Sequence, residues 1–254
     1  MQSHGIRHVR PVRPVLFPAS DPEWEMSEST RHGRMCELLY QLLRAAVGDE
    51  GTVGKDNFVY FDASNARRKC APDGFVKLGL PQAHFDSFKT WEHGAPELAV
   101  EILSPSDTEE KLTLEEKLER FHAIGVREVV AFDVDAPAGS RLRAWDLVHG
   151  DLVERIVEDE RTPCLTLHRW FVVAPYALEH LPAALRLADD PAGTRIVLEP
   201  RERAEAELEG ARAATEHERR ERARALADKE RALADKERAL AEVERLRAEL
   251  AKRG

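Results

Sequence analysis

The stretch that decides the fold is Pro96-Glu97-Leu98-Ala99-Val100-Glu101-Ile102-Leu103-Ser104. Proline opens it, and six residues from Leu98 to Leu103 follow with one carboxylate among five apolar side chains. A short, nearly continuous apolar run bounded by breakers reads as a central strand buried on both faces. Glu101 is its informative residue. A carboxylate in a buried strand costs several kcal/mol unless it is paired, protonated or bound to a cation. Strict alternation puts Glu101 on one face with Glu97, Ala99 and Leu103, so a solvated face remains the alternative.

Working outward, Gly74 to Leu78 (GFVKL) reads as a strand able to pair with that one, opened by Pro72-Asp73-Gly74. Pro-Asp-Gly is also an ordinary turn triplet. If Asp73 and Glu101 meet from adjacent strands, they make a hard-oxygen site of the kind that holds magnesium with substrate phosphate and water. Downstream, a helix is expected from a Ser106–Glu109 capping box to Ile124, closed by Gly125. Its inward stripe is Leu114, Leu118, Phe121 and Ile124. Lys117 leans toward that stripe, either to reach the strand ends or to snorkel at the surface.

Further elements follow from periodicity. A helix is expected over Ser29–Val47, with Met35, Leu38, Leu39, Leu42, Leu43 and Ala46 inward and Glu37 outward, which removes Glu37 as a third acid. His32 starts that helix near its inward side. Strands are expected at Asn57–Asp62, Val129–Val134, Cys164–Leu167 and Arg195–Leu198, a hairpin at Leu142–Val157, a loop at Gly79–Gly94 and a helix at Tyr176–Leu187. The class is α/β, a mixed sheet flanked by helices.

After Pro200 the composition changes. Aromatics and proline vanish, and Ala227–Leu233 (ADKERAL) recurs unchanged at Ala234–Leu240. Leu226, Leu233 and Leu240 recur every seven residues, with Val243, Leu246 and Leu250 continuing the stripe. Residues 201–254 therefore read as one charged long helix, either solvated alone or paired as a coiled coil with a second copy. Residues 1–200 read as the folded domain, with its core at about 29–175.

The tail holds 15 of the 38 Lys and Arg and 14 of the 47 Asp and Glu, so residues 1–200 carry a net charge of −10. Such a body does not coat nucleic acid nonspecifically, and Arg67-Arg68-Lys69 is its densest basic cluster near Asp73. Three scattered cysteines, Cys36, Cys70 and Cys164, fit neither a disulfide framework nor a zinc cluster and read as reduced thiols of a cytoplasmic protein. Met1–Pro18 has no apolar run and reads as an extended arm rather than a secretory signal. No phosphate loop, Gly-x-Ser-x-Gly or His-Glu-x-x-His occurs, which argues against a P-loop ATPase, an α/β-hydrolase and a zinc protease.

Taken in order, His32-Gly33, Pro72-Asp73, Trp91-Glu92, Pro96–Ser104, Lys117, Gly125-Val126-Arg127-Glu128 and Asp133 resemble the Uma-two family of bacterial restriction endonucleases, a branch of the PD-(D/E)XK nuclease superfamily. The resemblance runs over roughly Ser29–Pro200. It implies a restriction-endonuclease-like fold and magnesium- or manganese-dependent hydrolysis of DNA. Asp73 and Glu101 would be the metal ligands, and Asp73, Glu101 and Lys117 the catalytic set. There are departures. Leu103 stands where the superfamily places its lysine, Thr113 where an Asp often precedes Lys117, Phe121 for a usual Tyr, and Val129-Val130 for an aromatic pair. The rival reading is a nuclease-fold subunit without catalysis, acting in assembly or DNA binding through its C-terminal helix.

Overall fold

The computed structural model describes residues 30–103 and 112–251. The chain divides into two compact units, Met1–Pro200 and Arg201–Gly254.

In the first unit, helix α1 (Thr30–Val47) buries His32, Met35, Cys36, Leu38, Leu39, Leu42, Leu43 and Val47 on one face. It ends at Gly48 in the left-handed region. A six-stranded sheet follows, built from β1 (Gly51–Gly54), β4 (Gly74–Leu78), β6 (Leu98–Leu103), β7 (Glu128–Asp133), β8 (Leu142–Val148) and β9 (Asp151–Arg155). Its order is β1-β4-β6-β7-β8-β9, with β6 and β7 parallel and every other neighbour antiparallel. The β6–β7 crossover contains α3 (Leu114–Ile124), as parallel strands require.

The two faces hold two cores. Val76, Val100, Ile102, Val130 and Phe132 pack with the α1 leucines and with Phe171, Leu185 and Leu187. On the other face Phe75, Ala99, Val129 and Trp145 pack with Phe121 and Ile124 of α3 and with Phe88. The alternation expected for a strand buried on both sides is therefore realised in β6. Close approach of α1 to the sheet is permitted at Gly74, where a Cβ would meet Leu39 Cδ2 at 2.9 Å.

Two smaller antiparallel or mixed sheets complete the unit. One joins β3 (Lys69–Cys70), β2 (Val59–Tyr60) and β5 (Phe88–Lys89). The other joins β10 (Arg161–Cys164), β11 (Arg169–Tyr176) and β12 (Leu181–Ala188).

Several expectations need correction. The helix expected at Tyr176–Leu187 is a 3-10 turn at Ala177–Glu179 followed by strand β12. Ala and Leu favour helix there, but Pro182 sits inside the segment and β11, rich in Val and aromatics, supplies the ladder. Tertiary pairing overrides a weak propensity. The strand at Asn57–Asp62 shrinks to Val59–Tyr60, because Asp62 turns its carboxylate onto Ser64 instead of continuing. The strand at Cys164–Leu167 lies at Arg161–Cys164, because the next residues bend onto Glu128. Arg195–Leu198 makes only a bridge, Ala188 to Ile196. The expected loop Gly79–Gly94 ends in β5 and a short helix α2 (Thr90–His93).

Helix α4 (Pro200–Ala251) begins at the last residue of the first unit and runs through the second, and Leu226, Leu233, Leu240, Val243 and Leu246 are exposed on it. No helix among the described residues is long and apolar enough to cross a membrane. The Ser106–Glu109 box and the Met1–Pro18 arm lie outside the described residues.

Candidate active site at the β4 and β6 strand ends

Glu101 is 1% exposed, so the solvated-face reading is wrong for it. It shares its face with Ala99 and Leu103, over which α3 lies. Its Oε2 accepts from Lys117 Nζ at 2.8 Å, and the lysine side chain is 12% exposed. The helix that delivers this lysine is fixed at both ends. Thr113 Oγ1 accepts from Glu116 N and Glu116 Oε2 accepts from Thr113 N, a complete capping box. At the other end Gly125 takes the left-handed conformation (φ 84°) that closes the last turn. Thr113, which replaces an expected acid, thus serves as the helix cap.

Asp73 immediately precedes β4. The antiparallel register pairs Gly74 with Val100, so Asp73 falls beside Glu101 at the same end of the two strands. Its Oδ2 accepts from the Ile102 backbone N–H at 2.6 Å. Its Oδ1 lies 3.3 Å from His32 Nε2 on α1. Asp73 and Glu101 are thus neighbours along the β4–β6 ladder. Glu101 and Lys117 touch directly, and Asp73 bonds to the residue after Glu101. Glu37 is exposed and engaged with Gln41 and Lys55, away from this site.

Cys70 reports the local field. Burial pushes its thiol well above its ordinary range, and the Glu101 carboxylate pushes the same way, against Arg120 and Lys117. Arg120 also donates to the Lys69 carbonyl. Lys69 is buried with its ammonium 4.1 Å from the Phe58 ring centre, whereas Arg67 and Arg68 are exposed. A basic segment therefore leads from the Glu101 neighbourhood to the surface.

Sequence reasoning underrated α1. His32, Cys36 and Asp73 are all buried, and one donor atom from each lies within 4.8 Å of the others. The legible signal was the four-residue spacing of His32 and Cys36 on the inward face. Other motif residues have structural duties. Glu97 accepts from Lys77 Nζ at 2.6 Å and from Leu78 N at 2.8 Å. Asp133 Oδ1 accepts from Asp135 N and Ala136 N in the turn after β7. Carboxylates from adjoining strands are donors of the kind a hard divalent cation takes, whereas the close cluster of three possible ligands among the described residues joins Asp73 to His32 and Cys36 rather than to Glu101.

The chain matches the Uma2 family, described as "Putative restriction endonuclease", over residues 23–174. Among solved structures it is similar to a "putative nuclease belonging to DUF820" from Anabaena variabilis. Identity is 13%, the alignment covers 56% of this chain and 75% of that one, and the TM-score is 0.42. No curated protein matches it.

Proposed function

We propose, from the premise that the chain belongs to the Uma2 family of restriction-endonuclease-type proteins, that it is a divalent-cation-dependent nuclease acting on DNA phosphodiesters. The observation that carries this reading is the buried Glu101 facing the Lys117 ammonium at 2.8 Å, one residue from the Asp73 contact.

Asp73 and Glu101 would hold Mg²⁺ or Mn²⁺, which supplies water activation and stabilises the charge that builds on the phosphodiester. The chain's own residues do the rest. The Ile102 N–H and His32 orient the two oxygens of Asp73, so the carboxylate needs little reorganisation. Lys117 neutralises Glu101 until substrate arrives, and its flexible stem lets the ammonium turn to a phosphate oxygen. Exposed Arg67 and Arg68 supply the basic contacts that an acidic body otherwise lacks.

We further propose that α4 pairs with a second copy through its exposed leucine stripe. Only six large side chains, Leu226, Leu233, Leu240, Val243, Leu246 and Leu250, contribute, so pairing is weak and two-stranded. Deleting residues 201–254 should convert dimer to monomer in sedimentation without changing the melting of the first unit. Equal masses per particle would sink the pairing.

The decisive experiment is cleavage of plasmid DNA, with an RNA of matched length as competitor, by the full chain in Mg²⁺, in Mn²⁺ and in chelator. Cation-dependent cleavage of DNA, lost in Glu101→Gln and Asp73→Asn, is expected. Cleavage equal in chelator, or retained by both variants, would overturn the assignment. Absence of any cleavage favours the non-catalytic subunit, a reading that Leu103 in the superfamily's lysine position already supports.

A further inference from the structure

We propose that His32, Cys36 and Asp73 form a binding site for a thiophilic divalent cation of the zinc class, distinct in chemistry from the two-carboxylate site. His32 and Cys36 stand four residues apart on α1 and so share its inward face. Asp73 faces them from the start of β4, and the missing Cβ of Gly74 lets α1 lie against that strand. One donor atom from each residue lies within 4.8 Å of the other two, and all three residues are buried.

The geometry is close to what such an ion needs. With bonds of about 2.0–2.3 Å to nitrogen, oxygen and sulfur, ligand atoms around a tetrahedral ion stand roughly 3.3–3.8 Å apart. His32 Nε2 and Asp73 Oδ1 are already 3.3 Å apart.

The donor types decide which cation. A thiolate and an imidazole select zinc, cobalt or nickel over magnesium, which prefers oxygen and keeps its waters. On binding, the Cys36 thiol gives its proton to solvent and a metal–sulfur bond forms, with no oxidation. A neutral imidazole, one thiolate and one carboxylate then cancel the two positive charges. The loaded site carries no net charge, which a buried position requires. Three protein ligands leave a fourth position for water.

Asp73 serves both sites. A consequence that rests on the nuclease reading is that zinc-class ions compete with Mg²⁺ for Asp73 and inhibit cleavage.

Co²⁺ is the probe, titrated into the metal-free full chain. A near-ultraviolet thiolate-to-cobalt charge-transfer band is expected at one equivalent, erased by added Zn²⁺. Cys36→Ser should abolish the band, and His32→Gln should weaken cobalt binding about tenfold or more. Cys70→Ser and Cys164→Ser should leave it intact, as those thiols lie in other contacts. Absence of a band in the wild type, or its survival in Cys36→Ser, would overturn the site. The wild-type titration decides even if a variant folds poorly. Glu101→Gln should retain the band while losing cleavage, so the two readings fail separately. Should Zn²⁺ inhibit wild type and Cys36→Ser equally, the competition is wrong.

Discussion

Two glutamates lie buried in the two parallel strands of the sheet, Glu101 in β6 at 1% exposure and Glu128 in β7 at 2%. Each has a buried cysteine beside it whose thiol is pushed up, first by burial and then by the glutamate: Cys70 beside Glu101, Cys164 beside Glu128. Their donors differ. Glu128 accepts from the backbone N–H groups of Leu165 (3.0 Å) and Thr166 (2.9 Å), from the Thr166 hydroxyl (2.8 Å) and from Arg155 (3.2 Å). Arg155 is itself locked by Asp146 and the Pro163 carbonyl. That carboxylate staples the segment after β10 to the sheet. Glu101 instead meets the end of a four-carbon lysine stem carried by helix α3. A buried acid held by backbone donors is part of the framework. One faced by a flexible ammonium can exchange its partner for a cation and a phosphate. Burial alone does not distinguish them.

The comparison breaks most visibly through Glu128. Glu128→Ala leaves the Leu165 and Thr166 backbone N–H groups and the Thr166 hydroxyl unmatched, removes one acceptor from Arg155, and should cost about 3–5 kcal/mol in denaturant unfolding. Glu101→Gln should stay within about 1 kcal/mol of wild type, because Lys117 can turn its end to water. Equal losses from the two variants would erase the distinction.

Next in size, Lys117→Met keeps the stem and removes the charge. Turnover should fall by roughly 10²-fold while the Mg²⁺ concentration for half-maximal rate changes little, since the lysine is assigned to phosphate or water. Single-turnover cleavage across a Mg²⁺ series separates these. An unchanged rate would return Lys117 to a packing role.

The paired cysteines make a pH test. A folded thiol held protonated above its ordinary 9.0 means that the unfolded chain binds fewer protons above that pH. Each such thiol therefore contributes stability that is complete below about pH 9 and declines by about 1.4 kcal/mol per pH unit above it, until the folded thiol itself titrates. Cys70→Ala should flatten the alkaline decline relative to wild type between pH 8 and 10, read from denaturant midpoints. Identical slopes would mean that Cys70 does not sense burial beside Glu101.

The smallest expected effect is at the cap of the lysine helix. Thr113→Ala removes one half of the capping box and should cost about 1 kcal/mol. Its effect on turnover should be modest, since packing of Phe121 and Ile124 still holds α3. A loss of turnover as large as that of Lys117→Met would mean that the helix start positions the ammonium.

Much of this site could be read before any coordinates. Glu101 stood out because a lone charge in an apolar run is an energetic anomaly, and β6 and β4 fell where alternation and flanking proline and glycine put them. The tail helix was visible because a seven-residue repeat is a local property of sequence. Strand β12 was not, because its Ala and Leu content favours helix and only β11 reverses that preference. Glu128 passed as a motif residue, since nothing local says that Thr166 and Arg155 return to it from about 27 to 38 positions away.

What the sequence by itself determined are features whose causes lie within a few residues: periodicity, caps, breakers, and the cost of one acid in a greasy strand. It also carried the ordered motif that places the chain in its family. Which acid meets which donor was decided only by tertiary structure. The Asp73 bond to Ile102 N, the approach of His32 and Cys36 to Asp73, and the different partners of Glu101 and Glu128 all depend on strand order and helix placement. Such contacts join residues remote in the chain, and their energy is realised only once the sheet has brought them together.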